Sequence, residues 1–424
     1  MPTRRVQGVL PFARRAAANE RRFKRAILGL SLATALGLVA GTRIGRLTCG
    51  RVSTAAREWL ARRYGARPGD AEIDALWAER RARGLAAARA SMDHFFAHPK
   101  TNDATRRLFE VAGLAPDNGL IRWGRGSFCF LMSSKVFDPK DDGRSYALKP
   151  DLRSIWLRSV TITEGPFGLL EVPDTPEVRD AALKAGAIVD EGSAQRTNSW
   201  GCRGDEPDLA ATARGLVLGD SFMQGMFVGD DDTPSRNLER DLSARWGLKT
   251  CVLNTGNVGY SPEQYFHALK YYYPRLKPHF VVLSVCPNDF GDDFAVLAGT
   301  GEDWEFAERW IDEIAQYCRS MQVPLLLVPV PCEPQFLGGR RDAFYPGRIS
   351  NIFKGNARNY LDLLDDFVDG HLRANAVRKN EKRWTEYSPM FNNHIADNHF
   401  SAAGSKVWAE RVGRRLELIV ERPK

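Results

Sequence analysis

No CxxC pair occurs among the seven cysteines of this chain, Cys49, Cys129, Cys202, Cys251, Cys286, Cys318 and Cys332, and their number is odd. The spacing excludes a zinc ribbon, and the odd count argues against a disulfide scaffold. There is no internal repeat and no low-complexity tract, and Gly (37) and Pro (23) are near average usage. With 43% hydrophobic and 10% aromatic residues a sizeable core can form, so the unfolded and fibrous classes are excluded. At 424 residues the chain exceeds what one core organises, which predicts two folded units plus tails.

A basic surface is also missing from most of the chain, although the net charge is +8. Residues 1–67 hold 15 Lys/Arg against Glu20 and Glu58, a net +13, and the remainder holds 45 basic against 50 acidic residues, a net −5. Phosphate binding needs concentrated positive charge, so the mildly acidic body argues against a nucleic-acid partner.

The basic excess flanks an apolar run. Residues 26–42 (AILGLSLATALGLVAGT) carry no charge over 17 residues. As a helix this run spans roughly 26 Å, slightly less than a bilayer core of about 30 Å. Eight Lys/Arg precede it. The positive-inside rule therefore puts residues 1–25 in the cytoplasm and everything after residue 42 across the membrane. Arg43, Arg46 and Arg51 lie just beyond the run and weaken that orientation without reversing it. A cleaved leader is the rival reading, with Leu38-Val39-Ala40 as the cleavage context. The long basic segment before the run favours an uncleaved anchor, and such flanking charge is rare around a buried core helix.

Residues 52–97 read as helical, with Ile73, Leu76, Trp77 and Leu85 at helix-compatible spacing. Residues 120–173 are rich in Phe, Val, Ile, Thr and Trp with Gly and Pro punctuation, which predicts strands. Together, 43–194 read as a helical stalk with a β-containing accessory region, and 186–213 read as loop. From residue 214 short apolar runs alternate with helical patterns. Strands are predicted at 215–218, 250–253, 280–285, 323–330 and 360–364. Helices are predicted at 235–246, 262–273, 304–321 and 402–419. Apolar strands separated by helices mean a parallel sheet covered on both faces, with ligands at the carboxyl ends of the strands.

Polar residues cluster just after those ends: Asp220 and Ser221, Asn254 and Gly259, Asn288 and Asp289. Asp397 and His399 precede the last helix. A Ser, a His and an Asp in one cleft are the parts of nucleophilic acyl transfer, in which a hydroxyl needs an imidazole base oriented by a carboxylate.

The arrangement over residues 195–424 resembles the SGNH (GDSL) hydrolase family, in its membrane-anchored bacterial form. The resemblance rests on Gly219-Asp220-Ser221-Phe222, the glycine-bearing stretch from Asn254 to Ser261, Cys286-Pro287-Asn288-Asp289, and Asp397-Asn398-His399 before the final helix. It implies a flavodoxin-like three-layer α/β/α domain. It further implies Ser221 as nucleophile, His399 as base and Asp397 as its carboxylate. An oxyanion hole of the Ser221 N–H, the Gly259 N–H and the Asn288 amide follows, with Gly256 as the competing glycine. Two departures stand out: the acid lies two rather than three residues before the histidine, and Cys286 replaces a glycine. The stretch from Asn198 to Arg203 resembles a lead-in seen in many bacterial members and carries no assigned role.

The implied activity is ester hydrolysis or O-acyl transfer outside the cytoplasmic membrane, plausible for acylated surface carbohydrate and needing no cofactor or metal. A catalytically silent scaffold or glycan-binding subunit of an envelope assembly is the alternative. His394, Asp397 and His399 lie close enough to suggest zinc, but no further cluster has ligand spacing. Asp230-Asp231-Asp232 lacks the alternating oxygen pattern of a calcium loop. The Tyr271-Tyr272-Tyr273 run reads as packing of a helix end.

Overall fold

The computed structural model describes residues 103–114, 120–123, 129–161, 166–290, 304–332, 335, 349–350, 359–377, 388–394 and 397–423. All of them belong to one compact unit, Leu76–Lys424. The predicted apolar span 26–42 and the predicted helical stretch 52–97 lie outside the described residues. Among the described residues no helix is long and apolar enough to cross a membrane.

The accessory elements come first: helix α1 (Asp103–Ala112), strands β1 (Leu120–Trp123), β2 (Cys129–Met132), β3 (Phe137–Pro139), β4 (Tyr146–Leu148), β5 (Arg153–Thr161) and β6 (Pro166–Pro173), helix α2 (Pro176–Lys184) and strand β7 (Ile188–Arg196). Strands β6, β5 and β7 form an antiparallel sheet in that order. Its side chains alternate. Ile155, Leu157, Leu170 and Val172 join Leu108 and Phe109 of α1 and Val178 and Ala182 of α2 in one apolar cluster. The intervening residues Ser154, Trp156 and Glu171 are buried as well. By the two-residue period of a strand they face the opposite side, and Trp156 packs at 5.5 Å on Phe227 of the neighbouring α/β layers. Segment 188–196, read as loop from sequence, is therefore a strand. Its inward side chains include Ser193 and Gln195, so an apolar alternation is absent and only pairing with β5 reveals it.

The α/β layers follow with strand β8 (Ala213–Leu218), the short helix α3 (Ser221–Gln224), α4 (Pro234–Trp246), β9 (Thr250–Asn254), α5 (Pro262–Leu276), β10 (Phe280–Val285), α6 (Trp304–Ser320), β11 (Leu325–Pro329), α7 (Leu364–Val377), β12 (Phe391–His394), β13 (Asp397–Phe400) and α8 (Ala402–Ile419). The sheet is parallel, in the order β11-β10-β8-β9. In chain sequence this is 2-1-3-4, the flavodoxin-like doubly wound order. Strand alternation divides the core in two. Leu216, Leu218, Leu283 and Leu327 pack with Leu269 of α5 and Ile311 of α6. Val217, Val282 and Val328 pack with Leu242 of α4, Phe367 of α7 and Trp408 of α8 on the other face. Helices thus cover both faces.

The strand predicted at 360–364 shrinks to one parallel bridge between Tyr360 and Leu327. Asp362 ends it early: its side chain accepts the Leu364 N–H at 2.9 Å and starts α7. The remaining sheet strands and helices fall within a few residues of the sequence expectation, and α8 coincides with it. Ser401 begins that helix by accepting the Gly404 N–H at 3.2 Å.

Candidate active site

Because the sheet is parallel, the chain leaves β8, β9 and β10 at one common edge. Immediately after β8 the Asp220 side chain accepts the Phe222 N–H at 3.0 Å and caps α3, which begins at Ser221. Gly225, left-handed at φ 78°, ends that helix after one turn. The hairpin β12–β13 brings His399 to the same place from 178 residues away, with Nε2 2.7 Å from Ser221 Oγ. Both residues are 6% exposed. The imidazole stacks on Phe222 (4.5 Å between centroids) and meets Phe227 edge-on at 5.9 Å. Asn392 ties the hairpin to this turn by donating to the Phe227 and Phe400 carbonyls at 3.2 and 3.0 Å. Asp397 lies two residues before His399 in β13. Its side chain and that of His394 are outside the described residues.

The loop after β9 is held against α3. Asn254 donates to the Met223 carbonyl at 2.7 Å and accepts the Gly256 N–H at 2.9 Å. A Cβ on Gly256 would come within 2.3 Å of the Gln224 nitrogen, so only glycine allows this approach. Gly259 adopts φ 69°, the left-handed region that favours glycine. The two candidate glycines therefore differ: the Gly256 N–H is already used. Among the described residues no acceptor is found for the backbone N–H of Ser221 or Gly259.

Asn288 sits in the helical turn Pro287–Phe290 after β10 and is exposed. Cys286 Sγ lies 2.8 Å from Asn288 Oδ1 and 2.8 Å from Asp220 Oδ2, so its single proton can serve either oxygen. Asp289 is buried, accepting from the Cys286 N–H and the Tyr265 hydroxyl at 3.0 Å each. Burial pushes the Asp220 carboxyl above the usual carboxylate range, against the thiol, the charge of His399 and the Phe222 N–H.

Four residues that the sequence did not single out as functional surround this site. Arg203, from the lead-in stretch, is 3% exposed and donates to the carbonyls of Gln224 (2.8 Å), Gly225 and Val228 (2.5 Å) and to Asp230 (3.1 Å). Gln224 donates from Nε2 to Glu171 Oε2 at 3.0 Å and accepts the Val258 N–H on Oε1 at 2.7 Å. Glu171 also accepts from Ser154 (2.7 Å) and Gln195. Burial raises its carboxyl pKa despite these donors and the nearby Arg203 charge. Tyr146, in β4, donates its hydroxyl to the Val258 carbonyl at 2.5 Å. A lone acid inside the apolar strand sequence FGLLEV was the available signal for Glu171.

No family model and no curated protein matches the chain. Three solved structures illustrate its likenesses. TesA is 17% identical with TM-score 0.35, over 48% of this chain and 98% of that one. The acetyl xylan esterase AlAXEase is 19% identical with TM-score 0.34, over 47% and 97%. A lipase/acylhydrolase from Enterococcus faecalis is 20% identical with TM-score 0.33, over 50% and 98%. Likenesses this distant carry no weight for activity.

Proposed function

We propose that this chain is a serine ester hydrolase or O-acyltransferase, and the observation that carries the reading is the 2.7 Å contact between His399 Nε2 and Ser221 Oγ in a buried site at the carboxyl edge of the sheet. Ser221 Oγ attacks the ester carbonyl while His399 Nε2 takes its proton, and Asp397 fixes the imidazole and stabilises its cation. The carbonyl oxygen becomes an oxyanion. Its donors are the Ser221 and Gly259 N–H groups and the Asn288 amide, each typically worth roughly 3 to 4 kcal/mol. The intermediate collapses as His399 returns the proton to the leaving alcohol, giving an acyl-serine. Water then attacks that ester with His399 as base, releasing the acid; a hydroxyl acceptor in its place gives a new ester.

The setting is proposed from sequence. Residues 26–42 anchor the chain in the cytoplasmic membrane with the N-terminus inside, and the catalytic part acts outside on acylated surface carbohydrate. The test is fluorophosphonate labelling and p-nitrophenyl acetate turnover of the full chain beside Ser221→Ala and His399→Ala. Loss of both signals in both variants, by about a thousandfold or more, is expected. A folded wild-type protein that is neither labelled nor active would return the chain to the scaffold reading.

A further inference from the structure

The peptide unit that joins Val258 to Gly259 carries the Gly259 N–H, and the hydrogen bonds that hold it trace back to two residues outside the α/β layers, one directly and one through Gln224. Its carbonyl accepts the hydroxyl of Tyr146 from β4. The preceding Val258 N–H is accepted by Gln224, whose other end is fixed by Glu171 from β6. We propose that Tyr146 and Glu171, both from the accessory region, are positioning residues that clamp the Val258–Gly259 peptide so that its N–H faces the oxyanion. This inference rests on the ester-hydrolase reading and gives the accessory region a role in it.

The geometry of the amide group supplies the reason. A trans peptide is rigid and planar, so fixing the direction of its C=O fixes the opposite direction of its N–H. A donor on the carbonyl also polarises the unit and strengthens its N–H as a donor in turn. Tyr146 is well placed to impose that direction: it is 2% exposed and packed edge-on between Phe137 (5.9 Å) and Tyr260 (5.2 Å). At the other contact Gln224 has one donor end and one acceptor end. Glu171 Oε2 takes the Nε2 end, which obliges Oε1 to face Val258. Residue 259 needs such support, because its left-handed backbone would otherwise relax among many glycine conformations.

The test compares the full chain with Tyr146→Phe, which removes one oxygen, and Glu171→Leu. Saturating fluorophosphonate counts competent serines, so kcat is read per labelled site and loss of folded protein is divided out. Each variant is expected to lower kcat for p-nitrophenyl acetate by about 10- to 100-fold with KM within about twofold. Binding of a boronic acid, which forms a tetrahedral adduct on the serine, is expected to weaken by the same factor as kcat/KM. Hydrogen exchange of residues 255–261 is expected to accelerate while β8 and β10 stay protected. Unchanged exchange in that segment would overturn the clamp, as would faster exchange with unchanged kcat per site. An unlabelled wild-type protein would overturn the ester-hydrolase reading instead, and the exchange comparison would still decide whether these residues hold the peptide.

Discussion

The guanidinium of Arg203 donates to the carbonyl oxygen of Gln224 at 2.8 Å, so a charge from the lead-in stretch closes the helix that begins at Ser221. The same group satisfies the Gly225 and Val228 carbonyls and pairs with Asp230. An ammonium cannot reproduce that planar fan of donors. Arg203→Lys is expected to lower stability by about 2 to 4 kcal/mol and Arg203→Ala by about 3 to 5 kcal/mol, read from urea unfolding midpoints.

Gly256→Ala drives a methyl into the backbone of Met223 and Gln224, where the nearest atoms would lie at 2.3 and 2.5 Å. Main-chain atoms at the end of a capped helix yield less than a flexible side chain does. The loop must retreat, at a cost of about 1 to 3 kcal/mol in stability. It takes Gly259 with it. A fall of about tenfold or more in kcat for p-nitrophenyl acetate is expected, since small displacements at a reacting centre are costly.

Asn288→Ala is expected to lower kcat about 10²- to 10³-fold with little change in KM, the pattern of a donor used in the transition state. The contact of Cys286 Sγ with Asn288 Oδ1 adds a graded check. Serine at 286 keeps a hydroxyl donor to that oxygen and alanine does not. Cys286→Ala is therefore expected to lose about fivefold more kcat than Cys286→Ser, near 1 kcal/mol for one hydrogen bond.

Glu171 supplies a pH dependence of stability. Its folded pKa is raised by burial, so between the unfolded value near ~4.3 and the folded value the native state binds more protons than the unfolded one. The stabilisation is full below ~4.3 and declines as pH rises through the folded pKa. Glu171→Gln removes that titration. The melting temperature of Glu171→Gln minus that of wild type should grow as pH rises from about 4 and level off above the folded pKa. A difference that stays constant with pH would assign Glu171 no such shift.

The sequence made Ser221 and His399 legible because each lies beside an element that apolar periodicity locates well: a buried strand for one and the helix Ala402–Ile419 for the other. The positions of Gly259 and Asn288 beyond the ends of β9 and β10 were legible for the same reason. The support around them was not. Glu171, Gln224 and Tyr146 meet only through tertiary packing, since Gln224 is 53 residues from Glu171 and Val258 is 112 from Tyr146. A polar residue destined for a buried partner reads in sequence like one destined for water. Segment 188–196 failed for the same reason, with Ser193 and Gln195 on its buried side. Tyr360 lost its strand to a helix cap that competes for the same few residues.

The 178 residues between Ser221 and His399 also set a timetable for the reactive centre. At roughly 5 to 20 residues per second, a ribosome makes the histidine on the order of 10 to 40 seconds after the serine. Tyr146 and Glu171 are translated before Ser221, and Val258 soon after it, so the peptide clamp can assemble while the hydroxyl still lacks its base. A chain abandoned before the β12–β13 hairpin has the proposed nucleophile without its base. Under the proposed mechanism, translation order thus withholds acyl transfer until that hairpin has been made.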